Sequence, residues 1–118
     1  LLNSRLKDYF DIAILARSFS FDAQILWEAI AKTFERRNLA IPNAVPPALT
    51  EKFLDASKTA QWRGFVRKRL RSEHRDWKLE GVVEEVRDFL WPVLREKGEL
   101  KARWDPRQLA WQSSAGDV

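Results

Sequence analysis

The 118-residue sequence contains no cysteine, no methionine, four glycines and one histidine. Without cysteine the chain forms neither disulfides nor thiolate metal sites, which suits the reducing cytoplasm where we expect the protein. The scarcity of glycine argues against a phosphate-cradling loop, and neither an HExxH nor a GxSxG motif occurs. No apolar run approaches the roughly 18 residues of a membrane span, and no signal peptide opens the chain. We therefore expect no membrane partner.

Composition and hydrophobic spacing predict a globular, all-α domain with one core. Hydrophobic residues make up 45% and charged residues 32% of the chain, as in a folded protein. Apolar residues recur with helical spacing in every long segment, and no segment sustains the alternation of a strand. We expect about five helices packed as an irregular bundle over residues 1–98. Residues 99–118 are expected to form a tail with little regular structure, in which Trp104 and Trp111 either pack on the helices or form an exposed surface.

Start and stop signals place the expected helices. The first spans residues 4–18, and the second spans residues 23–37. Three prolines in residues 38–47 indicate an extended loop. A short helix and a basic helix follow, and the last helix, over residues 79–98, places eight apolar residues on one face. The residues expected to cap these helices are Asp22, Thr50 and Gly98.

Asp8 and Asp11 are unusual because they lie in a first helix that is apolar on nearly every face. Residues three apart share a helix face, so Asp8 lies beside Asp11, and Lys7 can pair with Asp11 four residues later. The acids fit two interpretations. They complement the helix dipole near its N-terminus, or they serve a function in a cleft. The dipole explains them poorly, since both lie beyond the first turn if Ser4 caps the helix.

Positive charge concentrates in residues 57–78. This segment has eight basic residues against two acidic ones, a net charge of +6, while the rest of the chain sums to −2. A helix here would bury Trp62 and Phe65 and place arginines every four residues on another face. Such a run is usually a solvated helix face, but it also fits a ridge that contacts the phosphates of RNA or of a nucleotide. The candidate binding residues on this helix are Arg63, Arg67, Lys68 and Arg71.

The first helix resembles a known family. Residues 3–12, Asn-Ser-Arg-Leu-Lys-Asp-Tyr-Phe-Asp-Ile, followed by Ala-Arg-Ser-Phe at 16–19, are similar to the NSRxKDxxDL…LARxF block of the AbiEii/AbiGii-type nucleotidyltransferase toxins. These toxins belong to abortive-infection toxin–antitoxin systems. More generic similarity continues to residue 94, through Gln-Trp-Arg-Gly-Phe at 61–65 and the last helix.

The resemblance implies that the chain is the C-terminal helical part of such an enzyme. The family's N-terminal half holds Mg²⁺ and an NTP with a Gly-rich turn, nearby Asp residues and a Lys, and this sequence contains no such block. The missing initial Met also suggests a piece of a longer protein. Mg²⁺ and NTP are therefore expected only in the full-length parent, and the fragment alone is expected to be inactive. Asp8 and Asp11 are the expected catalytic residues, with Arg5 and Lys7 as nucleotide-binding residues.

Three functions follow. The first is the C-terminal domain of a toxin that transfers a nucleotide from an NTP to an RNA or protein acceptor. The second is a non-catalytic module that binds tRNA, another RNA or DNA through the basic helix. The third is an interaction domain for an antitoxin. The expected partners are the missing N-terminal domain, an antitoxin and an RNA. A Gly-Ser or Gly-Gly turn followed by acidic pairs upstream would support the first function.

Overall fold

The computed structural model describes residues 2–69 and 76–113, with side chains described for 6–68 and 76–113. These residues form four α-helices, a three-stranded antiparallel sheet and two single-turn 3₁₀ helices, Pro47–Leu49 and Glu51–Phe53. None of these helices combines the length and apolar character needed to cross a membrane. The elements in chain order are α1 (Leu2–Ser18), β1 (Phe21–Asp22), α2 (Ala23–Arg36), α3 (Ala56–Arg69), α4 (Leu79–Glu96), β2 (Ala102–Asp105) and β3 (Ala110–Ser113).

The expectation of an all-α bundle of five helices is wrong. The fold is mixed, with strand order β1-β2-β3 and Trp104 of β2 paired with Phe21 on one side and Trp111 on the other. The tail expected to have little regular structure contains the β2–β3 hairpin. The short helix expected after Thr50 is not an α-helix but a single 3₁₀ turn. Thr50 does cap this turn, since its hydroxyl accepts a hydrogen bond from the amide of Lys52. Strands of two and four residues are too short for their alternation to be recognised in the sequence, and aromatic packing between neighbouring strands stabilises them.

Helices α1, α2 and α4 lie where helical periodicity predicts them. Asp22 caps α2 as expected, because its Oδ1 accepts hydrogen bonds from the amides of Gln24 at 2.9 Å and Ile25 at 3.1 Å. At the end of α4, Lys97 and not Gly98 is the C-cap, with a φ of 49°. The buried face of α4 agrees with its pattern and includes Val82, Val83, Val86, Phe89 and Val93.

Helix α3, which corresponds to the expected basic helix, begins at Ala56. Asp55 precedes it and accepts a hydrogen bond from the amide of Lys58 at 2.7 Å. This bond, and that from the Lys58 side chain, lower the pKa of the Asp55 carboxyl. Because the folded-state pKa lies below the unfolded one, this stabilisation is present near neutral pH and is lost as the solution is acidified through that pKa.

The described residues form a core of two apolar clusters. The larger one joins α1, α3 and α4 through residues such as Leu6, Trp62 and Val82. The smaller one centres on Ala16, Phe89 and Trp104, where the sheet covers the helices. Both clusters draw on α1 and α4, so these two helices form the framework on which every other element is placed.

The tryptophans of the hairpin dock it on the helices, which confirms one of the two interpretations of the tail. Trp104 is 1% exposed, and its Nε1 donates a hydrogen bond to the carbonyl of Ala16 at 2.6 Å. The Nε1 of Trp111 donates to the carbonyl of Phe89 at 3.0 Å. The Phe89 ring stacks on Trp111 with centroids 5.9 Å apart and meets Trp104 edge-on at 4.9 Å. The β2–β3 hairpin is thus an integral part of the smaller cluster.

Candidate functional site

Lys7 and Asp11 form an ion pair on the surface of α1. The Lys7 Nζ lies 2.6 Å from the Asp11 Oδ2, as the spacing of four residues predicts. The hydrogen bond to Asp11, and then its negative charge, raise the pKa of the Lys7 ammonium. Both side chains are about half exposed, so water and salt weaken the attraction. The side chain of Arg5, the third charged candidate near here, lies outside the described residues.

Asp8 lies at the edge of a pocket of about 300 Å³ between α1, the two 3₁₀ helices and α4. Of the eight described residues that line this Asp8 pocket, Asp8 alone is charged, and its side chain remains exposed. An exposed carboxylate above an apolar lining suits a ligand with a hydroxyl group next to an apolar surface. The other lining residues are Tyr9, Ile12, Ala48, Leu49, Phe53, Val86 and Leu90.

Tyr9 holds in place the wall of the Asp8 pocket that the two 3₁₀ helices form, which lies far from α1 in the sequence. Its hydroxyl donates a hydrogen bond to the carbonyl of Ala48, and its ring lies 4.8 Å from that of Phe53, centroid to centroid. These contacts attach both 3₁₀ helices to α1, so residues about forty positions apart in the chain form one concavity. Asp11 and Lys7 do not line it. The structure therefore separates two carboxylates that the sequence placed together, with Asp8 in the pocket and Asp11 in the ion pair.

On α3, two of the candidate binding residues line a second concavity of about 320 Å³, the Arg–Trp groove, formed by Trp62, Arg63, Val66, Arg67 and Trp77. Arg63 and Arg67 are exposed. Within the described part of the chain, neither guanidinium has a carboxylate partner within 4.0 Å.

The two remaining basic candidates are not placed in the groove. Lys68 is exposed on α3 but does not line it, because one residue along a helix turns the side chain by about 100°. Arg71 lies outside the described residues. The structure thus brings together two of the four basic residues that the sequence indicated.

Arg17 is an interaction centre to which sequence reasoning assigned no role. Its Nε and Nη2 donate to the two carboxylate oxygens of Glu85 at 2.9 and 2.8 Å, and its guanidinium carbon lies 4.5 Å from the centroid of the Trp77 ring. The hydrogen bonds to Glu85 raise the pKa of Arg17. The signal available in the sequence was its position in the family block, at the second residue of Ala-Arg-Ser-Phe. Arg17 therefore joins α1 to α4 and also holds the indole that walls the Arg–Trp groove.

The described residues do not fit the Mg²⁺ site that the resemblance implies for the parent enzyme. No three His, Cys, Asp or Glu side chains in residues 2–69 and 76–113 are close enough together to hold a metal ion. Mg²⁺ in proteins is bound through carboxylates and substrate phosphates, and among the described residues Asp8 is the one carboxylate lining its pocket.

A family model described as "Nucleotidyl transferase AbiEii toxin, Type IV TA system" matches residues 1–89 of the chain. No curated protein and no solved structure shows a significant match. The matched span contains Asp8, Arg17 and the whole Arg–Trp groove, and it ends within α4, ahead of the β2–β3 hairpin.

Proposed function

Because the chain belongs to the AbiEii nucleotidyltransferase toxin family of type IV toxin–antitoxin systems, we propose that it forms the acceptor side of a nucleotidyltransferase active site. In this proposal the metal and the NTP are bound by an N-terminal part of a longer parent protein. The chain contributes Asp8 and the pocket below it. The observation that supports the assignment is the exposed Asp8 carboxylate, which lies within the matched span and is the one charged group among the described residues that line the Asp8 pocket.

In the proposed reaction a hydroxyl oxygen of the acceptor, an RNA or a protein, attacks the α-phosphorus of the NTP, and pyrophosphate leaves. The Asp8 carboxylate accepts the hydrogen bond, and then the proton, of that hydroxyl. The apolar lining of the pocket holds the neighbouring part of the acceptor, so that the oxygen faces the phosphorus. Mg²⁺ bound by the N-terminal part would neutralise the phosphate charge.

Asp11 has a different role in this proposal. Its carboxylate is already held by the Lys7 ammonium at 2.6 Å, and it does not line the pocket. We therefore assign Asp11 to positioning, where it keeps Lys7 on the outer face of α1. The nucleotide-binding role expected for Lys7 remains a prediction.

The Asp8→Asn variant of the full-length parent tests the proposal, because it removes the charge and keeps the shape of the side chain. Transfer of radiolabel from NTPs to total RNA and to protein is expected to fall at least about 100-fold, the lower end of what general-base catalysis contributes. Asp11→Asn, three residues away on the same helix, is the matched control and is expected to retain most activity. The 118-residue chain alone is expected to transfer no label.

The result that would contradict the proposal is a full-length Asp8→Asn protein with wild-type transfer. Equal losses of transfer activity in the two variants would also contradict it. Such a result would show that activity depends on the total charge of α1 and not on the position of Asp8 in the pocket. Thermal melts of both variants separate a loss of chemistry from a loss of fold, because an exposed carboxylate adds little to packing.

A second candidate, a nucleic-acid-binding module without chemistry of its own, is favoured by the Arg–Trp groove. Two exposed guanidiniums without carboxylate partners in the described chain, next to two tryptophans, are chemically suited to a polynucleotide. The two candidates are compatible within one protein. The family's toxin–antitoxin setting supports an antitoxin as a further partner.

A further inference from the structure

We infer that the Arg–Trp groove binds a short segment of single-stranded nucleic acid, with phosphates on Arg63 and Arg67 and a base against the indole of Trp77. This site is separate from the Asp8 pocket, because the two share no lining residue in the part of the chain that the structure describes. The inference concerns binding alone and does not depend on the transfer reaction.

Arg63 and Arg67 differ in their ion pairing from two other cations that the structure describes. Arg17 is held by Glu85, and Lys58 is held by Asp55 at 3.0 Å. Arg63 and Arg67 have no such carboxylate in the described chain, and they stand four residues apart, about 6 Å along α3. Planar guanidiniums bind phosphate in a bidentate manner. Two of them along one groove fit successive phosphates of a strand.

The aromatic wall of the groove is fixed before any ligand arrives. The carbonyl of Trp77 accepts a hydrogen bond from the Trp62 Nε1 at 2.7 Å. The Trp77 ring lies 5.6 Å from that of Phe10 and 4.5 Å from the Arg17 guanidinium carbon. Trp77 nevertheless remains half-buried and lines the groove. An indole held in this way loses little freedom when a base packs against it.

The charges around the groove indicate toward which end of it the backbone of a bound strand extends. A larger cavity of about 720 Å³ adjoins it and shares Trp62, Arg63 and Trp77. That cavity is also lined by the carboxylates of Asp55, Asp76 and Glu80 against the single ammonium of Lys78, and although Asp55 is paired with Lys58, the carboxylates of Asp76 and Glu80 repel phosphate. The backbone of a bound strand is therefore expected to run toward Arg67 and away from this acidic end.

The half-buried indole that lines the groove with the two arginines also favours a single-stranded ligand. In a duplex the bases are stacked and paired inside the helix, so they do not pack against this indole. A duplex would contact the arginines through its phosphates alone. A single strand has unstacked bases and offers both parts of the ligand together.

Fluorescence anisotropy of the 118-residue chain with a labelled oligouridylate of about ten nucleotides tests the inference. The Arg63→Gln/Arg67→Gln variant is expected to bind at least about tenfold more weakly, and the slope of log K against log salt is expected to fall by about 1.4, or about 0.7 for each lost phosphate contact. The matched control is Lys32→Gln/Lys101→Gln, which removes the same charge from exposed positions outside the groove and away from the basic helix. It is expected to change affinity less than about threefold.

Further measurements separate the contribution of the base to the binding affinity from that of the phosphates. Trp77→Leu is expected to weaken binding and Trp77→Phe to retain most of it, with thermal melts to show that both variants fold. If the Leu variant does not fold, the arginine pair and the duplex comparison still decide. Oligodeoxythymidylate in place of RNA identifies which polynucleotide is preferred, and binding of either supports the inference.

Three results would overturn the inference. They are an equal loss in the lysine control, equally tight binding of a duplex of the same length, and equally tight binding of polyglutamate. Because no NTP is present, such a result would leave the Asp8 proposal standing. Inactive Asp8 variants that still bind the oligonucleotide would in turn leave the groove standing.

Discussion

At the residue scale, Gly98 is the glycine, among the three that the structure describes, that tolerates a side chain least well. Its φ is 93°, and a Cβ built on it would lie 2.9 Å from the Nε1 of Trp27. Its carbonyl accepts a hydrogen bond from the Gln24 side chain at 3.0 Å, so the end of α4 is tied to α2 at this point. The sequence indicated a glycine cap here, but the capping position is Lys97. The need for glycine comes from the close approach of Trp27, which lies far away in the chain.

Gly98→Ala is therefore expected to lower the free energy of unfolding by roughly 1–3 kcal/mol, because both the backbone conformation and the Trp27 contact oppose a Cβ. Gly81→Ala is the matched control. Gly81 is exposed in α4, and a Cβ added there would have no neighbour within 4 Å beyond the backbone of its own helix, so alanine is expected to stabilise the helix by about 0.5–1 kcal/mol. Urea unfolding of the two variants measures both effects. Shifts of the same sign would contradict this interpretation of Gly98.

At the element scale, the helices were predictable and the strands were not. The amphipathic helix α4 places seven buried residues on one face over 18 positions, which is long enough for periodicity to be decisive. Strand β2 alternates buried and exposed residues over only four positions, and the turn that follows uses Leu109 at a φ of 53°. The turn thus lacks the Asn-Gly or Asp-Gly pair by which a tight hairpin is recognised in a sequence.

The candidate site was predictable to a similar extent. Helical spacing and the family block drew attention to Asp8, and the spacing also gave the Lys7–Asp11 pair. The pocket itself was not predictable, because its far wall is two 3₁₀ helices that Tyr9 attaches to α1 through Ala48 and Phe53. The Arg–Trp groove depends in the same way on Trp77, which no local pattern places beside α3.

Helices α1 and α4 are coupled by Arg17 and Glu85. Their two hydrogen bonds of 2.9 and 2.8 Å form a bidentate pair, but both side chains are partly exposed, so screening by water and salt limits its strength. A double-mutant cycle with Arg17→Gln and Glu85→Gln is expected to give a coupling energy of about 0.5–1 kcal/mol, smaller at high salt. Arg17→Lys is expected to lose most of this coupling, since an ammonium makes no bidentate pair. A cycle with no coupling at low salt would show that the pair is incidental.

At the scale of the whole molecule, the β2–β3 hairpin completes a core that the matched span leaves open. The family model ends at residue 89, and Phe89 is the residue on which Trp104 and Trp111 pack. Without the hairpin, Ala16 and Phe89 would face solvent, and β1 would lose its partner strand. We therefore expect the hairpin to be required for a stable fold, although it lies beyond the matched residues.

Trp104→Ala tests this expectation. The side chain is 1% exposed, fills the smaller cluster and donates to the carbonyl of Ala16, so its removal is expected to cost about 3–5 kcal/mol. Natural domains are stable by roughly 5–15 kcal/mol in total, and the loss would therefore be a large part of the whole. Gln112→Ala, an exposed position in the same hairpin, is the control and is expected to change stability by less than about 0.5 kcal/mol. If both variants unfold at the wild-type urea concentration, the hairpin is an appendage, and α1 and α4 hold the Asp8 pocket in place without it.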